Sequence, residues 1–157
     1  MDTWRLSILV TALVISGGAA AQPPEDVRAA LNEPNSFETS RQVSAIPQAV
    51  RVAFSKACND EPFDMAEPGA GYQEFCTSPD NVPRRRLHAV SLSSNFCILS
   101  YEIGGLGHSD HVVVFNIAGD EPTLVWHGVT DHAVTTPSAL RRAVNRGTVS
   151  DELNYSF

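Results

Sequence analysis

Four short β-type segments lie in the centre of the chain, and they restrict it to a fold built on a sheet. They span residues 87–92, 96–103, 111–117 and 123–129. Within them apolar and polar residues tend to alternate, and valine, isoleucine and aromatic residues are frequent, which is typical of strands. The breaks between them are too short for a crossover helix, so neighbouring strands should run antiparallel as a meander.

Two helical patterns flank these strands. Between Ile46 and Cys58, apolar residues recur at the spacing of an amphipathic helix. A second helix should begin at Pro137, with Thr136 as its N-cap, and end at Gly147. The sequence therefore predicts an α+β fold, a four-stranded antiparallel β-meander packed on one face by an N-terminal and a C-terminal helix. The other face is also fairly apolar, so further chain or a partner should cover it.

The first 21 residues have the pattern of a signal peptide. Arg5 supplies positive charge, residues 6–15 form an apolar core, and residues 19–21 are small alanines suited to cleavage. Cleavage near Ala21 would place the mature chain in the periplasm or outside the cell. The apolar run is shorter than the ~20 residues of a spanning helix, so we expect no membrane span in the mature chain.

The rest of the chain has the length of one domain. Residues 22–45 are predicted to be a flexible lead-in with a short helix, and residues 46–157 a single α+β domain. The formal net charge is −7, from 11 Lys and Arg against 18 Asp and Glu. This balance argues against nucleic acid as a partner, because non-specific binding of nucleic acid depends on neutralising phosphates.

Three cysteines lie in the predicted mature chain, in a compartment where disulfides persist. Cys58 ends a predicted helix, Cys76 lies in a loop-like stretch, and Cys97 sits inside an apolar strand. We expect a Cys58–Cys76 disulfide with Cys97 buried and free. Three single pairings are open to three cysteines, and the sequence does not choose among them.

The loop between the second and third strands is the most unusual segment, and it supplies the candidate binding residues. Glycine permits positive φ and close backbone approach, which suits a tight hairpin loop or a loop that inserts into a partner's cleft. It is not a nucleotide-binding loop, because a strand and not a helix follows it. The candidate binding residues are Gly104, Gly105, Leu106, Gly107, His108, Ser109 and Asp110.

The end of this loop also holds the only dense cluster of metal-ligand side chains. Imidazoles and a carboxylate are suitable ligands for zinc or a related ion, and here they are His108, Asp110 and His111. His88 or His127, on neighbouring strands, could supply a further ligand. The spacing matches no metalloenzyme signature.

A catalytic interpretation of the same region adds Glu102. Beside His108 or His111, this carboxylate could form an acid–base pair. No nucleophile lies in a known motif, and Ser109 lacks the context of a nucleophile elbow. We therefore assign no catalytic residues on the leading interpretation.

Three segments carry a resemblance to known proteins. They are residues 63–66 (Phe-Asp-Met-Ala), residues 83–87 (Pro-Arg-Arg-Arg-Leu) and residues 101–115, where Tyr-Glu, Gly-Gly and His-Val-Val-Val-Phe follow one another. In these segments the chain resembles small exported proteins of proteobacteria, which form families of unknown function. The resemblance implies an envelope location and no particular activity.

Together these patterns favour a non-catalytic periplasmic or secreted binding module that uses residues 104–110. A small inhibitor is one version of it. Its partner would be an envelope or extracellular protein, and it would need no cofactor. The alternative is a metal-dependent enzyme, for example a hydrolase, with one divalent transition metal ion at His108, Asp110 and His111.

Overall fold

The computed structural model describes residues 22–33, 36–75, 81–105 and 107–150. The predicted signal peptide lies outside the described residues. In chain order the elements are α1 (Glu25–Leu31), β1 (Glu38–Ser40), a 3-10 turn (Val43–Ala45), α2 (Gln48–Ala57), β2 (Met65–Ala66), β3 (Arg85–Leu92), β4 (Phe96–Ile103), β5 (Ser109–Asn116), β6 (Thr123–Thr130), α3 (Pro137–Arg146) and β7 (Val149–Ser150).

All these strands belong to one sheet, in the order β1-β3-β4-β5-β6-β7, with β2 also beside β3. Strands β3 to β6 pair antiparallel, which confirms the predicted meander. The predicted count of four strands is too low, because β1 and β2 pair with β3, and β7 pairs with the end of β6. These additional strands have only two or three residues, which is too short for a recognisable alternating pattern.

Helices cover both faces of the sheet, so the prediction that both would pack on one face was wrong. One face, here called the α1/α3 face, buries Val27, Leu31, Phe96, Ile98, Val112, Val114, Trp126, Val134, Leu140, Val144 and Val149. The opposite face, the α2 face, buries Ile46, Val50, Phe54, Cys58, Met65, Leu87, Val90, Cys97, Leu99, Tyr101, Val113 and Phe115. Strand β4 is buried from Phe96 to Glu102 on both sides, so each face needs its own cover.

The helices follow the local signals in the sequence. Helix α3 starts where predicted, with the Thr136 hydroxyl accepting from the Ala139 N–H, and ends at Gly147 in the left-handed region at φ 66°. Helix α1 corresponds to the short helix predicted within residues 22–45, and its Val27 and Leu31 are buried in the α1/α3 face.

Two cysteines of the described residues, Cys58 and Cys97, are buried free thiols. Burial raises the pKa of Cys97 to about 12. The predicted disulfide between Cys58 and Cys76, which lies outside the described residues, was therefore wrong, because Cys58 is one of these free thiols, whereas Cys97 is buried and free as predicted. Over the described ranges, no helix is long and apolar enough to cross a bilayer.

Candidate functional site

A row of polar side chains crosses the sheet at one end of its long strands. Arg86 on β3 is opposite Glu102 on β4, Glu102 is opposite Asp110 on β5, and Asp110 is opposite Thr130 on β6. Residues directly opposite one another share a face of the sheet, and here it is the α1/α3 face. Glu102 and Asp110 are buried, with 4% and 7% of their surface exposed. Buried carboxylates are costly unless they are paired, so their partners define the site.

Glu102 is held by two side chains. The Arg86 guanidinium donates from Nε to Oε1 of Glu102, and the Tyr72 hydroxyl donates to Oε2 at 3.0 Å. Arg86 also lies over the Tyr72 ring, 4.3 Å from its centroid. Burial, together with the bond to Glu102, raises the pKa of Tyr72 to about 12. The hydroxyl therefore keeps its proton and remains a donor to the carboxylate.

Asp110 lies between two histidines. Nε2 of His88 is 2.6 Å from Oδ1 of Asp110, and Nε2 of His108 is 3.6 Å from Oδ2. The His108 ring also places Nδ1 3.4 Å from Oε2 of Glu102, so it bridges the two carboxylates. Burial disfavours the ionised form of Asp110, but the interactions with His88 and, to a smaller extent, with His108 together outweigh this cost, and the pKa of Asp110 is lowered.

A β-bulge explains how His88 reaches this group. The register between β3 and β4 shifts between Leu87 and Ala89, so His88 has no residue opposite it on β4. Bulges re-aim side chains and are frequent near functional sites. The result is a compact group of ionisable side chains from three adjacent strands and the loop before β5, here called the cleft group: His88, Glu102, His108 and Asp110.

The cleft group lines an open cleft of about 360 Å³, together with Arg41, Arg86 and a few apolar residues. Its members His88, Glu102 and Asp110 each offer one ligand atom, and these atoms all lie within 4.8 Å of one another. A tetrahedral zinc ion with bonds of 2.0–2.1 Å holds its donor atoms about 3.4 Å apart. Small side-chain rotations would therefore let the three residues bind one ion.

A second polar group, here called the histidine row, lies on the α2 face: Ser109, His111 and His127. Oγ of Ser109 is 2.7 Å from Nε2 of His111, and Nδ1 of His111 is 3.0 Å from Nε2 of His127. The two imidazole rings stack at 12°, and Tyr101 stacks on His111 at the same angle. Burial and the neighbouring His127 lower the pKa of His111 to about 4, so its ring is neutral at neutral pH.

The structure brings together only part of the predicted metal set. His108 and Asp110 meet in the cleft, whereas His111 lies on the opposite face of the sheet with Ser109. Successive residues of a strand point to opposite faces, so Asp110 and His111 do not share a site. The predicted acid–base pairing divides in the same way, since Glu102 contacts His108, and His111 lies across the sheet.

The glycine-rich loop packs against a neighbouring segment. A Cβ atom at Gly104 would lie 2.0 Å from the carbonyl oxygen of Gln73. The Gly105 N–H donates to the carbonyl of Glu74 at 3.2 Å, with φ at 128°. These two glycines therefore permit a close backbone contact. Leu106 lies outside the described residues, so its predicted role as a binding residue stays a prediction.

The sequence pointed to some members of the site and not to others. The sequence indicates His88 as a further metal ligand, and Glu102 only as one member of an acid–base pair. Arg86 is the last arginine of the segment 83–87, and it lies opposite Glu102 only because the bulge at His88 shifts the register by one residue. Tyr72 lies in an irregular segment that carries no signal for its contact with Glu102.

Comparisons of the chain with family models, curated proteins and solved structures found no match. The resemblance to small exported proteobacterial proteins therefore stays a prediction. The feature that bears on function is therefore the site itself, a cleft of histidines and carboxylates at the end of a mostly antiparallel sheet.

Proposed function

We propose that the protein is an exported, non-catalytic binding module for a divalent transition metal ion, with Zn²⁺ as the ion to test. The observation that carries the proposal is the convergence of His88, Glu102 and Asp110, from three adjacent strands, with ligand atoms within 4.8 Å of one another. The proposal keeps the predicted class of protein and moves its contact surface from the loop to the cleft.

The donor set suits a transition metal ion. Imidazole nitrogen and carboxylate oxygen are both common zinc ligands, and three protein ligands with one open position are a frequent arrangement. Groups behind the ligands orient them, as around many metal sites. Here Arg86 and Tyr72 hold Glu102, and His108 contacts both carboxylates at the rim.

The charges at the ligand positions also favour a cation. Of the two arginines that line the cleft, Arg86 forms an ion pair with Glu102, and none of the described acidic side chains pairs with Arg41, so the two buried carboxylates have only one paired arginine between them. A divalent ion would neutralise the excess and would add bonds that the ion pair with Arg86 does not provide. We propose binding without turnover because Glu102 and Asp110 are both assigned to the ion, so neither carboxylate is left free to act as a general base.

The experiment is a zinc titration of protein without affinity-tag histidines, followed by calorimetry or chelator competition. We expect one Zn²⁺ per chain. Asp110→Asn and His88→Gln should each weaken binding by more than about 100-fold, because loss of a group behind a ligand already costs 10–100-fold. His132→Gln is the matched control, since His132 is exposed and outside the cleft.

Circular dichroism of the metal-free variants establishes that they are folded. The proposal would be wrong if the native chain bound no zinc, or if the two ligand variants bound it as tightly as His132→Gln.

A further inference from the structure

We infer that the ion in the cleft binds a small molecule with a carboxylate or phosphate-type oxyanion, and that Arg41 is the second anchor of this group. The inference rests on the proposed metal site and names what that site recognises. Four features of the cleft lead to it: its volume, its charge, the lack of an ion pair at Arg41 and its apolar wall.

The cleft is larger than an ion requires. Its volume is about 360 Å³, which falls in the range of small-molecule sites, roughly 300–1,000 Å³. An ion with three protein ligands keeps a position open for an exogenous ligand. Because His88, Glu102 and Asp110 all belong to the sheet, the open position faces the rest of the cleft.

Binding of the ion changes the net charge of the cleft and makes the cleft attractive to an anion. Glu102 and Asp110 contribute two negative charges, and Arg41 and Arg86 contribute two positive charges. These four charges cancel, and a divalent ion adds two positive charges to the cleft. The loaded cleft therefore attracts an anion, although the whole chain has a net charge of −7.

Arg41 differs from the other arginines near the sheet. Arg84 and Arg85 pair with Glu61, and Arg86 pairs with Glu102. None of the described acidic side chains forms an ion pair with Arg41, which is exposed and lines the cleft. A guanidinium group matches carboxylate and phosphate oxygens in geometry and charge, so Arg41 is free to bind the same oxyanion as the ion.

The apolar part of the cleft wall favours an organic oxyanion over an inorganic one. Pro68 and Ala133 line the cleft beside the charged groups. An oxyanion with a small apolar substituent can contact these residues while its oxygens contact the ion and Arg41. We therefore expect phenylphosphonate or benzoate to bind more tightly than inorganic phosphate or acetate.

The test uses the full mature chain loaded with Co²⁺, whose visible absorption responds to its ligands. Titration with phenylphosphonate and with benzoate should produce saturating spectral changes, and the tighter probe identifies the oxyanion. Arg41→Ala should weaken the effect about tenfold or more, as expected for one charge-assisted hydrogen bond. Arg142→Ala is the control, because Arg142 is exposed and outside this cleft.

The outcomes separate this inference from the proposed function. If Co²⁺ binds but neither probe changes its spectrum, or if Arg41→Ala matches Arg142→Ala, the inference is wrong and the metal site stands. If the native chain binds neither Co²⁺ nor Zn²⁺, both are wrong. Equal binding of phenylphosphonate to the metal-free chain, measured by calorimetry, also contradicts the dependence on the ion.

Discussion

The cleft group and the histidine row lie back to back at the same end of the sheet, and their environments differ. In the cleft group, buried carboxylates meet histidines and Arg86 beside an open space. In the histidine row, the imidazole rings of His111 and His127 stack on each other, His111 stacks on Tyr101, and a hydrogen bond joins the two imidazoles. The first arrangement is ionic and open to a ligand, while the second holds a neutral, buried His111.

One short segment, residues 108–111, contributes side chains to both regions. His108 and Asp110 belong to the cleft group, and Ser109 and His111 belong to the histidine row. The alternation of a β-strand separates neighbours in sequence by the thickness of the sheet. A dense cluster of ligand-type residues in a strand therefore indicates two half-sites, and each half-site has to be completed from adjacent strands.

The largest expected effect tests whether the two faces are equally well covered. Leu99 is buried on the α2 face and its neighbour Ile98 on the α1/α3 face, with 0% and 4% exposed. Leu99→Ala and Ile98→Ala should each lower the free energy of unfolding by about 2–5 kcal/mol, because each leaves a cavity in a packed core. Urea denaturation measures both variants.

The two variants act as controls for each other. A cost below about 1 kcal/mol for Ile98→Ala, with the full cost for Leu99→Ala, would mean that α1 and α3 cover their face only loosely.

The next effect concerns the loop that leads into β5 and so positions both regions. Gly104→Ala should destabilise by about 1–3 kcal/mol, because its Cβ would meet the backbone of Gln73. Gly107→Ala is the matched control, since nothing lies within 4 Å of a Cβ there, and it should stay within about 0.5 kcal/mol of the native chain. Equal unfolding midpoints in urea would show that the contact with Gln73 does not hold the loop.

The parts of the fold that could be predicted are those with long or well-marked patterns. Strands β3 to β6 have eight residues each, and α3 has a Thr136 cap and a Gly147 stop, so the local signals agree with the fold. The short strands β1, β2 and β7 form because a neighbouring strand offers unpaired hydrogen-bonding groups, and this depends on the tertiary structure. The same holds for the division of the helices between two apolar faces.

The site was less predictable for a related reason. His108 and Asp110 are close in sequence and in space, so the pattern identified them. Glu102 joins them through the register of the hairpin of β4 and β5, and Arg86 and His88 join them only through the bulge in β3. Sequence adjacency wrongly added His111 to the set, because the phase of β5 relative to the loop decides which residues face the cleft.

The smallest expected effect tests whether the histidine row and the cleft group are independent of each other. Ser109→Ala removes one hydrogen bond to His111, which keeps its bond to His127. The free energy of unfolding should fall by about 1 kcal/mol, while the affinity for Zn²⁺ should change less than twofold, since Ser109 lies across the sheet from the proposed ligands. Ser94→Ala, at an exposed turn, is the control for the substitution itself. A loss of zinc affinity in Ser109→Ala comparable to that in Asp110→Asn would mean that the histidine row contributes to zinc binding. In that case strand alternation would not divide the two regions into separate sites.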